Sequence, residues 1–336
     1  MTTTRFAVVV PVRIREPGHA RDLANCLAAL AACDPPPDEV VVVDDGSEPP
    51  VRLGAGGARL LRTAPRGPAS ARNTGARATS ANILVFVDAD VMVPPDTFAR
   101  LAATFAADPD ATAVWGTVSA RVPDPSANHA TRYKNHVHRH YTRSLAPSGR
   151  PTPTGNLTTM VAAVRRAAFE GVGGFREALT TVSVEDVELG RDLTAAGARV
   201  VFDPGLEVAH AHRWDEWSTL RNDAHKIRGL ARAVVARRVA GGPRPVGLAG
   251  RRAATYAVGT TFVGLLGASL VLGRAVPAAG LFVAFLVSEQ DLLRYLWREE
   301  GAAFAARSAG SMLVERLTVI GAAAVGAVEG AWAGRE

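Results

Sequence analysis

The chain has 336 residues, of which 48% are hydrophobic, and a formal net charge of +6 at pH 7. That length suits one domain with an appendage rather than a single small domain. The basic balance is compatible with nucleic acid, anionic lipid or a phosphorylated ligand. Nucleic acid is the least favoured, because the sequence has no zinc-finger spacing, no RNA-binding aromatic signature and no basic helix followed by heptads.

The first hundred residues alternate predicted strands with predicted helices. Short apolar runs predict strands at 6–12, 40–43, 59–62 and 83–87. Helical spacing and turn signals predict helices at 18–32, from 67–75 onward and at 94–107. Because the two kinds of element alternate, we expect a right-handed, mostly parallel α/β sheet. The apolar run at the N-terminus is too short for a signal peptide, so we expect this part to stay in the cytosol.

The two cysteines, Cys26 and Cys33, lie on or next to the predicted helix at 18–32. On one helix they are separated by about 10 Å along the axis, which is too far for a disulfide. We therefore expect both to be small core residues in a reducing compartment.

Two carboxylates, Asp88 and Asp90, follow the apolar run at 83–87. Residues i and i+2 of an extended chain project to the same side, so both face one space. In α/β proteins, ligands bind at this carboxyl end of the sheet. Oxygen ligands there suit Mg²⁺ or Mn²⁺, usually shared with a phosphate. The alternative is a strand-end turn with two solvated aspartates.

Beyond residue 110 the pattern is less regular. It predicts a strand at 113–122, a basic helix at 128–145, a helix near 164–170 and another from 184 to 197. A short strand at 200–202 is followed by His210 and His212, and then by a basic helix from about 215 to 238. These elements extend the predicted α/β domain over residues 1–240.

The composition changes after residue 240. Residues 241–252 are predicted to be a basic linker, and residues 253–336 a hydrophobic helical region. The stretch 253–273 carries no charge and is long enough to cross a bilayer. Weaker runs at 275–288 and 317–328 have as their alternative a helical hairpin that lies in the membrane interface. Arginines before the first run predict, by the positive-inside rule, that the preceding domain is cytoplasmic and that the protein is at the cell membrane.

Short motifs spread over residues 5–238 form the most informative pattern in the sequence. They are Val8-Val9-Val10-Pro11, Asp44-Asp45-Gly46-Ser47, Ala71-Arg72-Asn73-Thr74-Gly75, Asp88-Ala89-Asp90, Gly155-Asn156, Gly173-Gly174-Phe175, Glu185-Asp186 and His210. In this order and spacing, the chain resembles the inverting family 2 glycosyltransferases. The resemblance implies the GT-A fold, a Rossmann-like mixed α/β sheet flanked by helices, and transfer of a sugar from a nucleotide sugar.

The resemblance also implies which residues bind the nucleotide and the donor sugar. They are Pro11, Asp44, Asp45, Arg72, Asn73, Asp88, Gly155 and Asn156. A carboxylate can accept hydrogen bonds from a base N–H or from ribose hydroxyls. A guanidinium and a helix N-terminus both favour diphosphate oxygens. The structural alternatives are an Asp-Gly turn, a surface arginine and a helix N-cap at Asn156.

Among similar enzymes, Asp90 corresponds to the direct ligand of Mg²⁺ or Mn²⁺, with Asp88 nearer the ribose or the waters of the metal. His210 or His212 is implied to complete the metal shell. We expect only one of the two histidines to face the site from an extended chain, and the spacing to Asp203 favours His210. The alternative is a structural histidine.

Asp186 resembles the catalytic base of the family, which takes the proton of an acceptor hydroxyl as that oxygen attacks the anomeric carbon. Glu185 beside it is expected to raise the pKa of Asp186 or to orient the acceptor. The alternative interpretation is a helix capping box that begins at Ser183.

Two departures from the family pattern affect the expected substrates. Arg13 and Ile14 stand where many members have an aromatic residue and an Asn, which changes the expected contact to the base. The Gln-x-x-Arg-Trp motif of processive synthases is missing, so we expect transfer of a single sugar. The expected partners are a nucleoside diphosphate sugar, with UDP-sugar favoured, and a hydroxyl acceptor that is lipid-linked or membrane-proximal.

Two other functions stay open from the sequence. A sugar nucleotidyltransferase requires a Gly-rich basic loop directly after the first strand, and residues 13–18 match it poorly. A catalytically inactive, membrane-bound nucleotide-binding module is disfavoured because both Asp90 and Asp186 are present. The pair His136 and His140 has the spacing of a zinc clamp, but such a run is more often a solvated basic face.

Overall fold

The computed structural model of the protein describes residues 4–54, 56–177, 185–239 and 251–333. The chain divides into two compact units, the first made of residues 1–127 and 141–213 and the second of residues 128–140 and 214–336. This division differs from the predicted boundary at residue 240, because the helix that precedes residue 240 packs against the C-terminal helices. Most of the predicted linker, residues 241–250, lies outside the described residues.

A nine-stranded sheet forms the centre of the first unit. Its strands are β1 (Phe6–Val12), β2 (Glu39–Asp45), β3 (Arg59–Thr63), β4 (Ile83–Val87), β5 (Val91–Met92), β6 (Ala111–Val118), β7 (Thr152–Pro153), β8 (Val161–Arg165) and β9 (Arg199–His210). The strand order is β3-β2-β1-β4-β8-β6-β9-β5, with β7 also paired to β9. Strands β1 to β4 are parallel, whereas β8 is antiparallel to both of its neighbours. The sheet is therefore mixed.

Eleven helices accompany these strands in the described residues. They are α1 (Pro17–Ala31), α2 (Pro68–Arg77), α3 (Thr97–Ala107), α4 (His129–Arg143), α5 (Arg166–Gly171), α6 (Glu185–Ala195), α7 (Glu216–Val239), α8 (Arg251–Val271), α9 (Ala275–Ser288), α10 (Gln290–Glu300) and α11 (Ala302–Ala333). Helices α1, α2, α3, α5 and α6 belong to the first unit. The predicted mixed α/β sheet flanked by helices is confirmed.

Two hydrophobic cores lie on the two faces of the sheet. Alternate residues of a strand point to opposite faces, so Val8 and Val9 of β1 enter different cores. The core of Val8 contains Leu23 of α1 and Phe98 of α3. The core of Val9 contains residues of α2, α5 and α6, among them Leu189. The first unit is therefore a sheet with a layer of helices on each face.

The central strand β8 was not predicted from the sequence, and neither were the two-residue strands β5 and β7. Its residues 161–165 are alanine-rich, and a short apolar run of this kind does not distinguish strand from helix. The predicted helix near 164–170 begins only at Arg166. The loop that contains Asn156 leads into this strand, so the alternative of a helix N-cap at Asn156 is wrong.

Cys26 and Cys33 are free and buried, as predicted. Both belong to the core formed with α1 and α3. Burial raises the pKa of both thiols, to about 11 for Cys33. The thiols therefore stay protonated and serve as packing groups.

The second unit is helical and contains all three of the predicted apolar runs. Among the described residues, one helix, Ala302–Trp332, is long and apolar enough to cross a membrane by length and composition. The stretch 253–273, predicted as the leading span, largely coincides with α8 and contains the apolar segment Val258–Val271, and the next run contains Pro277–Ser288. The weakest predicted run, 317–328, is part of the long helix.

Candidate active site

A buried arginine joins the end of strand β4 to the start of helix α6. One terminal nitrogen of Arg72 donates to Asp88 at 2.7 Å, and the other donates to Glu185 at 2.9 Å. Its guanidinium carbon lies 5.4 Å from the centre of the Phe175 ring. The side chains of Asp88 and Glu185 thus both pair with the guanidinium of Arg72, although 113 residues separate Arg72 from Glu185.

The charges of this cluster depend on one another. Burial acts to lower the pKa of Arg72, but the carboxylates of Asp88 and Glu185 raise it, so the guanidinium stays charged. Burial raises the pKa of Asp88, which Arg72 counteracts. Without Arg72, two acidic groups in a poorly hydrated place would lack their counter-ion.

Asp186, the predicted base, lies in the first turn of α6 next to Glu185. Its carboxylate accepts a hydrogen bond from the backbone N–H of Val187 at 2.8 Å. Burial, together with the charge of Glu185, raises the pKa of Asp186 to about 7. A carboxylate with that pKa can accept a proton near neutral pH. Ser183, on which the capping-box alternative depends, lies outside the described residues.

His210 and His212 both contact Asp90. The Nε2 of His210 and the Nδ1 of His212 lie 3.4 Å and 3.5 Å from the same carboxylate oxygen, and the two rings stack. The expectation that only one histidine could face the site is wrong, because residues i and i+2 of an extended chain project to the same side. Burial acts to raise the pKa of Asp90, but bonds from both histidines hold it well below its usual range.

These three side chains form a donor set that suits a divalent cation. A carboxylate favours Mg²⁺ or Mn²⁺, and imidazole adds affinity for transition metals. Among the residues that the structure describes, no group of three acidic, histidine or cysteine side chains is already arranged as a metal site. A metal role for Asp90, His210 and His212 stays a prediction.

Asp44 and Asp45 are both engaged by the loops around β2. Asp44 accepts hydrogen bonds from the N–H groups of Ser47 and Val51 at 2.8 and 3.2 Å, and it pairs with Arg62 at 3.2 Å. Asp45 accepts from the N–H groups of residues 66 and 67 at 2.7 and 2.9 Å. Both carboxylates are buried, so in this structure they shape the loops, and a contact to a nucleotide stays a prediction.

A cavity of about 570 Å³ opens beside these loops. It is lined by residues at or just after the ends of strands β1, β2 and β3, namely Arg13, Ile14, Arg15, Gly46, Glu48, Arg62, Thr63, Ala64 and Pro65. Of these, Arg13 and Ile14 were expected near the base from the sequence, whereas Arg15, Glu48 and Arg62 were not. Arg15 and Glu48 come after predicted parallel strands and Arg62 is near the end of one, which was the available indication because such strand ends meet at one edge.

The side chain of Asn73 ties α2 to a glycine turn. Its amide nitrogen donates to the carbonyl of Phe175 at 2.8 Å and to Glu177 at 2.9 Å, and its oxygen accepts from the N–H of Phe175 at 2.9 Å. Gly174 has a φ of 72°, and a Cβ there would lie 2.7 Å from the Asn73 oxygen. Asn73 therefore has a structural role in this turn, and its contact with a nucleotide stays a prediction.

Replacing Asn73 by alanine should lower the free energy of unfolding by about 1–3 kcal/mol, because it leaves the backbone groups of Phe175 buried without partners. Urea denaturation measures the change. Thr74→Ala on the same helix is the control, since Thr74 makes only an exposed contact with Arg77. Equal losses in both variants would contradict the structural role of Asn73.

The remaining predicted site residues lie at the surface or along β1. Gly155 and Asn156 are exposed in the loop between β7 and β8, and the adjacent Leu157 packs next to Gly190 of α6. Pro11 pairs with Val43 of β2 beyond the end of the β4 ladder. Their roles toward a donor stay predictions.

The zinc-clamp alternative does not match the surroundings of His136. Its two ring nitrogens lie 2.7 Å from Glu300 and 3.1 Å from the hydroxyl of Tyr295, both within the second unit. Burial lowers the pKa of His136 to about 4. The His136 side chain is thus a buried helix-packing group, and the expected solvated basic face is also wrong for it.

Comparison with known proteins decides the family. A model of the family described as Glycosyl transferase family 2 matches residues 7–173, which include the motifs at 44–47, 71–75 and 88–90. These residues form a family 2 glycosyltransferase domain. The matched residues include β1 from residue 7 onward, strands β2 to β8, helix α2 with Arg72, and the end of β4 that is followed by Asp88 and Asp90.

Relatives extend this assignment. Two curated proteins named pre-mycofactocin glycosyltransferase, from two strains of Mycobacterium tuberculosis, are each 33% identical to this chain over 149 residues. The match covers 44% of this chain and 31% of theirs, so the chain spans about a third of the curated relatives it matches. The mannosyltransferase PcManGT from Pyrobaculum calidifontis, solved with GDP-Man and Mn²⁺, shares the fold at 21% identity and a TM-score of 0.54. That likeness covers 96% of this chain and 87% of PcManGT.

Proposed function

We propose that the protein transfers a single sugar from a nucleoside diphosphate sugar to an acceptor hydroxyl, with inversion and with help from Mg²⁺ or Mn²⁺. The observation that carries the proposal is the Asp88–Arg72–Glu185 bridge. It connects the strand end that bears Asp90 with the helix start that bears Asp186, whose pKa is about 7. A cation-binding carboxylate and a proton acceptor are the two groups that such a transfer needs.

In this proposal, Asp90 holds the cation together with His210 and His212. When bound, a divalent cation neutralises the charge that develops on the departing nucleoside diphosphate. Asp88, oriented by Arg72, accepts hydrogen bonds from the ribose. The cavity beside β1, β2 and β3 takes the base, with Arg13, Arg15 and Arg62 as donors.

Asp186 takes the proton from the acceptor hydroxyl while the oxygen attacks the anomeric carbon. The new bond forms on the side opposite the leaving phosphate, so the configuration inverts. Burial and the charge of Glu185 raise the pKa of Asp186, and Arg72 opposes this effect. Asp186 is therefore ionised in part near neutral pH and can accept a proton there.

The structural neighbour bears on the class of donor, and the C-terminal region bears on the class of acceptor. PcManGT was solved with GDP-Man and Mn²⁺, which supports a nucleotide-sugar donor for this protein. The donor base predicted from the sequence is uracil, so UDP-sugar is the favoured donor. The apolar helices of the second unit support a lipid-linked or membrane-proximal acceptor, with the catalytic domain at the cytoplasmic side of the cell membrane.

Asp90→Ala should abolish stabilisation by nucleotide sugar that depends on Mn²⁺, because the variant loses the carboxylate that holds the cation. A thermal-shift screen of UDP-, GDP- and dTDP-sugars, with and without Mn²⁺, measures this and identifies the base. Asp96→Ala is the matched control, since Asp96 is 64% exposed and lies outside the cluster. A shift that persists in Asp90→Ala would refute the metal role of Asp90.

A further inference from the structure

Helix α11 has two different sides. Buried residues at intervals of three or four define one side, namely Ser308, Met312, Glu315 and Val319. Large apolar side chains between 47% and 76% exposed define the other, namely Val314, Leu317, Val325, Val328 and Trp332. With Gly321, these exposed residues recur every three or four positions and so form one continuous face of the helix. We call this face the apolar stripe.

Helix α7 runs along the other side of α11. Arg307 near the start of α11 donates to Glu216 at 2.8 Å, and Arg228 is ion-paired with Glu329 near its end. A Cβ at Gly326 would clash with the backbone of Arg228, so the two helices are in close backbone contact. At a rise of about 1.5 Å per residue, the stretch from 307 to 329 is about 33 Å long.

The helix that accompanies α11 is strongly polar. Over the contact, α7 carries the ionisable residues Glu216, Arg221, Asp223, His225, Lys226, Arg228 and Arg232. Along α7, the stretch from Glu216 to Arg232 is about 24 Å long, and the hydrocarbon core of a bilayer is about 30 Å thick. If α11 crossed a bilayer, it would therefore take most of these charges into hydrocarbon, where they are costly.

The middle of α11 is also held by charges. Glu315 lies 3.8 Å from Lys134 of α4, which also pairs with Asp223 of α7 at 2.6 Å. The next residue, Arg316, donates to Glu289 at 2.7 Å, and both side chains are nearly inaccessible. The polar groups on α11 thus face protein, while the apolar stripe does not.

We infer that the apolar stripe lies in the plane of an anionic bilayer, within one leaflet, and that α11 does not cross it. Exposed apolar side chains of the α8–α9 hairpin, namely Leu265, Leu270, Val271, Leu272, Phe282 and Val283, add to the apolar surface of this unit. Basic residues outnumber acidic ones in residues 214–336, which favours anionic headgroups. Exposed Trp297 and Trp332 are of the type enriched at membrane interfaces. The inference does not depend on the proposed reaction.

The turn between α8 and α9 is suited to contact with lipid. The N–H groups of Leu272, Gly273 and Arg274 donate to the carbonyls of Ala268, Leu270 and Ser269 at 2.8–3.0 Å. Backbone groups that enter a bilayer must find partners within the protein, because lipid tails offer none. The backbone donors of Leu272, Gly273 and Arg274 are therefore satisfied within the turn.

Binding of the full chain to lipid vesicles tests whether the apolar stripe contacts an anionic bilayer. The protein should bind vesicles of phosphatidylcholine with phosphatidylglycerol more tightly than vesicles of phosphatidylcholine alone. Val325→Glu combined with Val328→Glu should weaken this binding by about tenfold or more, because two apolar side chains that contact acyl chains are replaced by charged ones. Leu60→Glu, at an exposed apolar position on β3 in the first unit, is the control and should bind as the wild type does.

Unchanged binding by the double variant would overturn the inference. So would a double variant that only changes from dimer to monomer in lipid-free solution, because the stripe would then be an interface between two copies. Circular dichroism of each variant verifies that the helices form.

Labelling of single cysteines tests the orientation without disturbing the stripe. Ala306→Cys and Ala331→Cys lie near the two ends of α11, and both native cysteines are buried. If α11 lies in one leaflet, a membrane-impermeant maleimide added to sealed vesicles should label both positions from the same side. Labelling of the two positions from opposite sides would show a crossing helix and refute the inference.

Discussion

Replacing Arg72 by methionine is expected to lower the free energy of unfolding by about 3–5 kcal/mol, because two acidic side chains lose their common counter-ion. The guanidinium donates to Asp88 at 2.7 Å and to Glu185 at 2.9 Å, and its own side chain is 5% exposed. Methionine keeps a similar length and its contact with Phe175, so the change mainly removes the charge. Urea denaturation at about pH 7 measures the loss.

The same helix offers a matched control for this substitution. Arg77 is 67% exposed and lies 4.0 Å from Glu177, so Arg77→Met should change stability by less than about 1 kcal/mol. The loss in Arg72→Met should become smaller in acid, because Asp88 and Glu185 can then take up protons instead of remaining as unpaired charges. A loss that is equal in both variants, or independent of pH, would contradict the counter-ion role of Arg72.

The alternating part of the fold was predictable because its strands are buried on both faces. Strands β1, β2 and β4 are continuous apolar runs, and such runs are typical of parallel strands covered by helices. Strand β8 escaped prediction since its alanines suit a helix as well as a strand. Its position is decided by pairing with β4 and β6, which are far away in the chain.

The site was predictable as a set of residues but not as a set of contacts. Resemblance to the family identified Arg72, Asp88 and Glu185, yet the bridge between them depends on how α2 and α6 pack on the sheet. Asn73 shows the same limit, because an amide can bind a ligand or the backbone equally well. The position of the turn at Phe175 gives the amide its backbone partners and could not be read from the motif.

The two histidines after β9 illustrate a different kind of error. The spacing of His210 and His212 already predicts that both rings project to one side, so the correct expectation was available from strand geometry. Their joint contact with Asp90 further depends on the pairing of β5 with β9, in which Val91 is opposite His210. That register brings the residues after β4 and β9 together and could not be derived from the motifs alone.

Asp186→Asn is expected to lower the rate of sugar transfer by about 10²–10⁴-fold while the protein still binds the nucleotide sugar, because an amide cannot take the acceptor proton. The pKa of Asp186 is about 7, so transfer by the wild type should fall about tenfold for each pH unit below 7 and level off above it. Arg72 lowers the pKa of Asp186. In the folded fraction of Arg72→Met, the decrease in the transfer rate should therefore begin at a higher pH than in the wild type. Initial rates across pH, with donor binding followed separately, measure both effects.

Stability should change in the opposite direction, which separates the loss of a base from a folding defect. An acid whose pKa is raised by folding stabilises the protein below its ordinary value of about 3.9 and loses that contribution as the pH rises through about 7. Asparagine has no charge to bury, so Asp186→Asn should melt at a higher temperature than the wild type above pH 7 and close to it near pH 4. Asp192→Asn on the same helix is the control, since Asp192 is paired with the exposed Arg176 and lies outside the cluster. If Asp186→Asn transfers sugar slowly and is also less stable than the wild type at alkaline pH, Asp186 stabilises the first turn of α6 and is not the proton acceptor.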